Sequence, residues 1–379
     1  MVQKALMYIR RNLPRILPLA LLLMLTSCGK FFVPENCTTN CSTSGGNYLY
    51  VGNSDTANIA AFTISSTAIN SISNSPYSLG VSPSALAITP SNTYLYVASL
   101  AGGIYAYSIG SGGALTIANN GSAVVSGISP TAVKVDTTGN WLIAVDPTPA
   151  AYVFAINTSN GTLTSEGSVP LAAGSSPNNL IFTPGDNYIY VSLGTVGVGI
   201  LSFNSSTGVL TNNNQVLPPK QSVDAIQGLA VNSAGTYLYA AETGINGIRV
   251  LAITSTTGAL TEITGSPYTT GTGPGGVLID STGSYLYVTN RGSNNVSAYL
   301  VSLSGALTQI SGSPFTAGTN PVALAEDNTH TYIAVVNAGG TPDLQTYTIL
   351  TSVPGALQPY KSAATGTDPT NALAIVAAN

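Results

Sequence analysis

The stretch YLYVTNRGSNNVSAYLVSLSGALTQISGSPFTAGTNPVALAED, from Tyr285 to Asp327, is the clearest copy of a unit that repeats along the chain. Each copy opens with an aromatic-led apolar segment. Seven such openings occur, 46 to 49 residues apart, at Tyr48, Tyr94, Trp141, Tyr188, Tyr237, Tyr285 and Tyr332. A repeat of this length is typical of solenoids, propellers and arrays.

Turn residues divide each unit into short segments. A Gly-x-Leu-Thr turn recurs at Gly113, Gly161, Gly208, Gly258 and Gly305. A proline before the last apolar segment recurs at Pro83, Pro130, Pro177, Pro274, Pro321 and Pro369, and the fourth unit has Ile226 instead. Glycine adopts positive φ without steric cost, and proline, which has no N–H, fits the first residue of a strand. The recurring turn glycines and prolines therefore predict four short strands in each unit.

Seven units of four strands predict an all-β fold, a seven-bladed β-propeller of four-stranded antiparallel blades. No segment keeps the spacing of an amphipathic helix, and Val, Ile, Thr and Tyr favour strands. The first unit begins at its second strand, and the chain ends on Ala372-LAIVAA, which resembles Ala85-LAIT. We therefore expect the C-terminal strand to complete the N-terminal blade and close the ring, which removes an exposed sheet edge.

Residues 1–27 have the order of a secretory signal, with four basic residues before an apolar run from Ile16 to Leu25. The following segment 25–28 (LTSC) resembles the lipobox of bacterial lipoproteins, which implies that Cys28 is lipidated. The alternative is an ordinary cleaved signal with a chance cysteine. The residue after the cysteine is Gly29 and not the Asp that retains enterobacterial lipoproteins at the inner membrane, which favours the outer membrane. We expect a lipid-anchored envelope protein with a Ser/Thr/Asn-rich tether at 28–47 and a propeller at 48–379.

Cys37 and Cys41 lie in the tether as Cys-Thr-Thr-Asn-Cys. In an exported chain this spacing favours a local disulfide. Two cysteines without a nearby histidine leave a tetrahedral metal ion half-ligated, so we expect no metal site there.

Charge is scarce: 6% of the residues are charged, and after Cys28 six basic residues face all 14 acidic ones. The net charge beyond Cys28 is therefore near −8. Without a basic patch, nucleic acid is excluded as an expected partner. We expect a monomer.

The repeat resembles the seven-bladed lactonase propellers, whose YVTN signature stands at Tyr287-Val288-Thr289-Asn290. The resemblance covers about residues 48–379. It implies a propeller and the lactone chemistry of 6-phosphogluconolactonases and muconate-cyclising enzymes, although the family also includes exported surface proteins without an assigned reaction. Enzymes of this family place His, Arg and Glu at the mouth of the central channel, some of them directly after the inner-strand proline.

In this chain none of the positions after the proline is ionisable: they are Ser84, Thr131, Asn178, Gln227, Gly275, Val322 and Thr370. None can act as a general base near neutral pH. The catalytic residues of the family therefore cannot be transferred to this chain, and we predict no catalytic residue. Asn178 and Gln227 are candidates for ligand binding.

Charged residues also follow the opening strands, at Asp55, Asp146, Glu242, Arg291 and Asp343. Glu242 and Arg291 come from adjacent blades, and we expect them to meet at the channel mouth. An ion pair between blades, a ligand contact and a catalytic acid with its electrophile all stay open for this pair. Arg249, on a third strand, is expected to pack at a blade interface.

The one histidine, His330, falls in the turn between an inner and an opening strand, where a solvated turn is the expected role. Asp136 and Asp280 begin equivalent turns and are expected to bond their own backbone. Glu326 and Asp327 form a similar turn or hold a divalent cation weakly. We expect no cofactor besides such a cation, and no Ser-His-Asp triad or Gly-x-Ser-x-Gly elbow is present.

Two functions follow from these observations. The first is a non-catalytic, membrane-anchored propeller that binds a protein or glycan of the cell envelope. The alternative is a lactone hydrolase or isomerase that uses Glu242, Arg291 and a bound metal ion.

Overall fold

The structure of the protein is a computed structural model, which describes residues 46–222, 224–340, 342–366 and 372–378. The predictions for segment 1–27, for Cys28 and for Cys37 and Cys41 lie outside these residues, as does Pro369. Among the described residues, no helix is long and apolar enough to cross a membrane.

Seven antiparallel sheets contain the strands of the described residues, and each sheet is one blade. Blade 1 contains β1 (Tyr48–Asn53), β2 (Asn58–Ile64), β3 (Ile69–Ser71) and β4 (Tyr77–Ser78). Blade 2 contains β5 (Pro83–Ile88), β6 (Tyr94–Ser99), β7 (Gly103–Ile109) and β8 (Leu115–Ile117), with two 3-10 helices, Ser111–Gly113 and Asn119–Gly121. Blade 3 contains β9 (Ala132–Val135), β10 (Trp141–Asp146), β11 (Ala150–Ile156) and β12 (Leu163–Pro170).

The remaining blades repeat this order. Blade 4 contains β13 (Asn179–Phe182), β14 (Tyr188–Ser192), β15 (Val198–Asn204) and β16 (Val209–Leu217). Blade 5 contains β17 (Ile226–Val231), β18 (Tyr237–Glu242), β19 (Gly247–Ile253), β20 (Leu260–Glu262) and β21 (Tyr268–Thr269). Blade 6 contains β22 (Pro274–Ile279), β23 (Tyr285–Asn290), β24 (Asn295–Val301), β25 (Leu307–Gln309) and β26 (Phe315–Thr316). Blade 7 contains β27 (Pro321–Glu326), β28 (Tyr332–Asn337), β29 (Leu344–Ile349) and β30 (Leu357–Ala363).

The last strand, β31 (Ala372–Ala378), closes the ring as predicted. It pairs antiparallel with β1, with Tyr48 opposite Ala378 and Val51 opposite Ile375. It takes the place in blade 1 that β5 takes in blade 2. The inner strands β31, β5, β9, β13, β17, β22 and β27 contact their neighbours in ring order around the central channel. The prediction of an all-β, seven-bladed propeller is confirmed.

The opening strands are buried because both faces of a blade pack against other blades. Tyr50 belongs to the apolar cluster between blades 1 and 2, whereas Leu49 and Val51 belong to the cluster between blades 7 and 1. Successive strand residues point to opposite faces, so an unbroken apolar segment serves two interfaces at once. One such cluster fills each of the seven seams between blades in the described residues.

A contact between an aromatic ring and a glycine couples the two sequence signals of the repeat. Tyr188 packs its ring on Gly258 of the next blade, where a Cβ would lie 2.6 Å from the ring, and Gly258 has a φ of +69°. In the same seam the Tyr190 hydroxyl donates to the Gly258 carbonyl at 2.9 Å. Rings of Tyr48, Tyr94, Trp141, Tyr237 and Tyr285 meet glycines in the same way. Glycine is therefore required at this turn by backbone conformation and by space.

Candidate functional site

The loop face is the end of the ring where the opening strands end and the inner strands begin. There Asn290 at the end of β23 lies opposite Pro274 at the start of β22. The channel mouth on this face is formed by the residues after the inner-strand proline: Ser84, Thr131, Asn178, Gln227, Gly275 and Val322. None of these six residues carries an ionisable side chain.

Three of the mouth side chains bond adjacent blades to each other. Ser84 Oγ donates to the Pro130 carbonyl at 2.6 Å, and Thr131 Oγ1 donates to the Pro177 carbonyl at 2.7 Å. Asn178 Nδ2 donates to the Ile226 carbonyl at 3.3 Å in the same way. The position after the proline is therefore used in blades 2, 3 and 4 to tie each blade to the next.

The two side-chain amides predicted to bind a ligand differ in which of their polar atoms lack a hydrogen-bond partner. Asn178 is half-buried, and its Oδ1 has no donor among the described residues although its Nδ2 is bonded. Gln227 is half-buried on β17, and its amide has no hydrogen-bond partner in the described part of the chain. The Gln227 amide can therefore bind a polar group at the mouth, whereas Asn178 Oδ1 is closed to solvent and its Nδ2 is already bonded.

Arg291 brings a positive charge to the mouth. A Cβ at Gly275 would lie 3.1 Å from Arg291 Cδ, so the arginine side chain lies directly over this glycine. Its Nε donates to Asn320 Oδ1 at 3.2 Å, in the loop before β27. The side chain is exposed, and no carboxylate of the described residues forms an ion pair with it. Its guanidinium therefore crosses from blade 6 to blade 7 with donors left for a ligand.

Glu242 lies elsewhere, and the expected contact with Arg291 is not formed. Its carboxylate is fully buried, with Oε2 at 3.5 Å from Arg249 Nη1 on the adjacent strand of its own blade. Register explains this: Ala240 lies opposite Arg249 and Glu242 opposite Gly247, so Glu242 and Arg249 are diagonal neighbours on one face. Glu242 is thus part of a buried ion pair and presents no carboxylate oxygen to solvent.

The ion pair belongs to a larger charged cluster in blade 5. Arg249 Nη2 also lies 3.1 Å from Glu262 Oε2, and Lys220 Nζ lies 2.7 Å from the same oxygen. Burial opposes ionisation of Glu262, but hydrogen bonds from Lys220 and Ser266 and the Arg249 charge outweigh it, so the pKa of Glu262 is lowered. The expectation that Arg249 packs at a blade interface fits this placement, since its side chain is almost fully buried and its Nη1 donates to the carbonyl of Pro218, just after blade 4, at 2.8 Å.

A second carboxyl, Asp224, lies against Glu242 and was not among the predicted residues. It is fully buried, and neither of its oxygens accepts a hydrogen bond from a donor among the described residues. Burial raises the pKa of Glu242, and the Asp224 carboxyl raises it further, while the Lys220 N–H and Arg249 oppose the shift. Ionised carboxylates at both residues would therefore repel each other. A long loop with no repeat signature carries Asp224, so its position could not be found from sequence.

On the opposite face Asp136 and Asp280 bond their own turns, as predicted, whereas Glu326 bonds the turn of the neighbouring blade. Asp136 accepts the Trp141 N–H at 2.8 Å, and Asp280 accepts the Tyr285 N–H at 2.7 Å. Glu326 accepts the Ser281 N–H of blade 6 at 2.6 Å.

His330 lies in one of these turns with its side chain half exposed and Nδ1 at 3.3 Å from Glu326 Oε1. It therefore lies at the opposite end of the channel from the loop face. Among the described residues no group of three or more His, Cys, Asp or Glu side chains could hold a metal ion.

Lys134 on the inner strand β9 was also missed. Of the described inner strands, β9 is the one with a basic residue. Lys134 lies between Val133 and Val135 in an apolar segment, so no sequence motif marks it.

Two surface grooves of about 290 and 270 Å³ lie at the outer strands of blades 3 and 4, and none of the predicted residues lines them.

The comparison with protein families matches residues 42–326 to the model described as lactonase, 7-bladed beta-propeller. The chain belongs to this family. No curated protein sequence matches the chain.

Solved structures share the fold of this lactonase propeller. A protein from Lactobacillus plantarum is 22% identical with a TM-score of 0.72, covering 88% of this chain and 100% of its own. A Bacteroides fragilis protein, to which 6-phosphogluconolactonase activity is ascribed, is 17% identical with a TM-score of 0.72, covering 90% and 100%. The periplasmic gluconolactonase of Pseudomonas aeruginosa is 16% identical with a TM-score of 0.72, covering 88% and 99%. At these identities the similarity establishes the fold alone.

Proposed function

We propose that this lactonase-family propeller hydrolyses a lactone at the channel mouth of its loop face. Arg291 carries the proposal, because it places an exposed guanidinium, free of any carboxylate partner in the described residues, over the glycine of a mouth position. Family membership and the gluconolactonases among the structural neighbours support the same chemistry. They favour it over the envelope-binding function, which was expected first from the sequence.

In this proposal Arg291 binds the lactone carbonyl oxygen. The carbonyl carbon is attacked by water, negative charge develops on that oxygen, and the ring C–O bond breaks to give a hydroxy acid. A guanidinium aimed at the developing oxyanion stabilises the transition state more than the ground state. The Gln227 amide binds a hydroxyl group of the substrate. Glu242 takes no part, because it is buried against Arg249 and Asp224.

The proposal is tested on the purified full-length chain with sugar lactones, an acyl-homoserine lactone and a muconate-type lactone. We expect hydrolysis of a sugar lactone, and a fall of about 100-fold to 1,000-fold in kcat/KM for Arg291→Ala, the loss typical of one oxyanion donor. Lys361→Ala is the matched control, since Lys361 is an exposed cation on the outer strand β30. Absence of turnover with every lactone would refute the enzymatic function, and full activity of Arg291→Ala would refute the role of this residue.

We further propose that the chain is anchored to the outer membrane through lipidated Cys28, with segment 28–47 as tether, and that Cys37 and Cys41 form a disulfide. The supports are the lipobox-like segment and its place after the apolar run. Mass spectrometry of the N-terminal peptide tests both modifications. An unmodified mature N-terminus beginning elsewhere than Cys28 would refute the anchor, and two free thiols would refute the disulfide. The working state of the protein in this proposal is a monomer without a cofactor.

A further inference from the structure

Lys134 has an unusual place in the ring. It is the third residue of the inner strand β9, and its side chain is exposed although Val133 beside it is buried. The faces of an inner strand pack against the neighbouring blades, so solvent reaches the middle of such a strand through the central channel. The amine of Lys134 therefore opens to the channel and not to the outer surface of the protein.

The surroundings of Lys134 are apolar at the same depth of the channel. It lies opposite Ile143, the central residue of its opening strand. The residues at the equivalent position of the other inner strands are Ala87, Ile181, Ala230, Leu278, Ala325 and Val376. Lys134 is thus a single amine in an apolar ring.

The carboxylates near β9 accept hydrogen bonds from groups other than Lys134. Asp136, two residues later, accepts N–H and hydroxyl bonds from its own turn, and Asp186, in the turn after β13, accepts the N–H and hydroxyl of Thr137. On β10, Asp146 accepts bonds from Thr148 Oγ1 at 2.6 Å and the Tyr152 hydroxyl at 3.1 Å. The other strands packed on β9 are β5, β6 and β13, and their titratable groups are the hydroxyls of Tyr94 and Tyr96.

Neither tyrosine supplies a negative charge to Lys134. The Tyr96 hydroxyl donates to the Gly161 carbonyl at 3.1 Å, and Tyr94 packs its ring on the same glycine. No described carboxylate forms an ion pair with Lys134. Enclosure by the ring of inner strands disfavours the ammonium form and lowers the pKa of Lys134.

We propose that Lys134 Nζ is a covalent binding site for small neutral aldehydes inside the channel. The nitrogen lone pair attacks the aldehyde carbon, and a proton moves from nitrogen to oxygen to give a carbinolamine. Loss of water then forms the C=N bond of an imine. An uncharged aldehyde suits the site because the apolar ring around the amine offers no counter-charge. This site lies on a different strand from Arg291, and it stands whether or not the chain hydrolyses lactones.

The test uses the full-length chain with propanal and cyanoborohydride, which reduces the imine to a stable secondary amine. Labelling at pH 6.5 is followed for each lysine by peptide mass spectrometry. We expect Lys134 to be labelled at least tenfold faster than Lys361, an exposed lysine whose Nζ lies 5.6 Å from the Tyr360 ring centre. An equal or slower rate at Lys134 would overturn the proposal.

A second reagent tests the location in the channel. An aldehyde coupled to a dextran polymer is too large to enter the ring, so we expect it to label Lys361 and leave Lys134 unmodified. Polymer labelling of Lys134 at the rate of Lys361 would show that the amine is on the outer surface, and the channel site would be refuted.

Discussion

The seams between blades and the lining of the central channel come from the same seven repeats, yet they keep the repeat to different degrees. Six seams carry an aromatic ring on a glycine, and five of them add a tyrosine hydroxyl bonded to that glycine's carbonyl. In the channel, by contrast, equivalent positions hold Lys134, Ala87 and Ile181. Residues that recur in most of the repeats hold the ring together, whereas positions that differ from one repeat to the next are where binding and catalysis can lie.

The closing seam shows what happens when the signature is missing. No described glycine faces Tyr332, which packs instead on Tyr360 with ring centres 4.9 Å apart. The Tyr360 hydroxyl then donates to the Ser65 carbonyl of blade 1 at 3.0 Å. The last seam is therefore joined by a different aromatic pair in addition to the shared inner strand β31.

The largest expected effect separates the buried Arg249 from the exposed Arg291. Arg249→Leu leaves Glu242 buried without its partner, and we expect a loss of about 3–5 kcal/mol in the free energy of unfolding. Arg291→Leu removes an exposed side chain and should change it by about 0.5 kcal/mol or less. Denaturant unfolding of both variants measures this difference. A loss below about 1 kcal/mol for Arg249→Leu would contradict the buried ion pair.

The next effect concerns the glycine of a seam. Gly258 has a φ of +69°, and the Cβ added by Gly258→Ala would lie 2.6 Å from the Tyr188 ring. Gly112→Ala is the control, because Gly112 has a φ of +76° and a Cβ there would have no heavy atom within 4 Å. Positive φ costs both variants about 1–2 kcal/mol. Overpacking should cost Gly258→Ala about 1–3 kcal/mol more. Thermal and denaturant unfolding measure both, and equal losses would show that the ring contact is unimportant.

A smaller effect is expected for the seam hydroxyl. Tyr190→Phe leaves the buried Gly258 carbonyl without the 2.9 Å hydrogen bond, which should cost about 1 kcal/mol. Tyr77→Phe is the control, because the Tyr77 hydroxyl bonds Ser73 at the protein surface. The control should unfold like the wild type. A Tyr190→Phe variant as stable as Tyr77→Phe would contradict a role of this bond in the seam.

The smallest effect is a pH dependence in blade 5. The raised pKa of Glu242 means that the folded state keeps a proton that the unfolded chain has released, so its contribution lowers stability as pH rises above the ordinary carboxyl range of about 4 to 5. Glu242→Gln should remove this part of the slope. Glu262, whose pKa is lowered, contributes stability that is lost as pH falls, so Glu262→Gln should change the slope in the opposite sense. Unfolding free energies between about pH 3 and 8 measure both slopes, because the Glu262 contribution changes below the ordinary carboxyl range and the Glu242 contribution changes above it. Changes of the same sign would contradict the assignment.

The fold could be predicted because its signals are periodic. The aromatic openings, the turn glycines and the Ala372-LAIVAA segment fixed the blades and the closure through β31, and Asp136 and Asp280 bond their turns as expected. Such features depend on residues near each other in sequence or at one fixed spacing.

The candidate site could be predicted only in part. Placing Glu242 next to Arg291 ignored the closer cation on the adjacent strand, which the pairing of β18 with β19 puts diagonal to Glu242. Asp224 lies in a loop without a repeat signature, and Lys134 replaces an apolar residue at one position of one blade. Burial and neighbouring charge decide the role of these residues, and both depend on packing between distant segments.

The most direct test of the account compares lactone hydrolysis in a channel-mouth variant and a seam variant. The value of kcat/KM for a sugar lactone is measured for the wild type, Arg291→Ala and Tyr190→Phe at a temperature where all three are folded. We predict a loss of about 100-fold or more for Arg291→Ala, and a value within about twofold of the wild type for Tyr190→Phe despite its lower stability. Equal values for Arg291→Ala and the wild type, or equal losses in both variants, would contradict the claim that chemistry lies where the chain departs from its repeat.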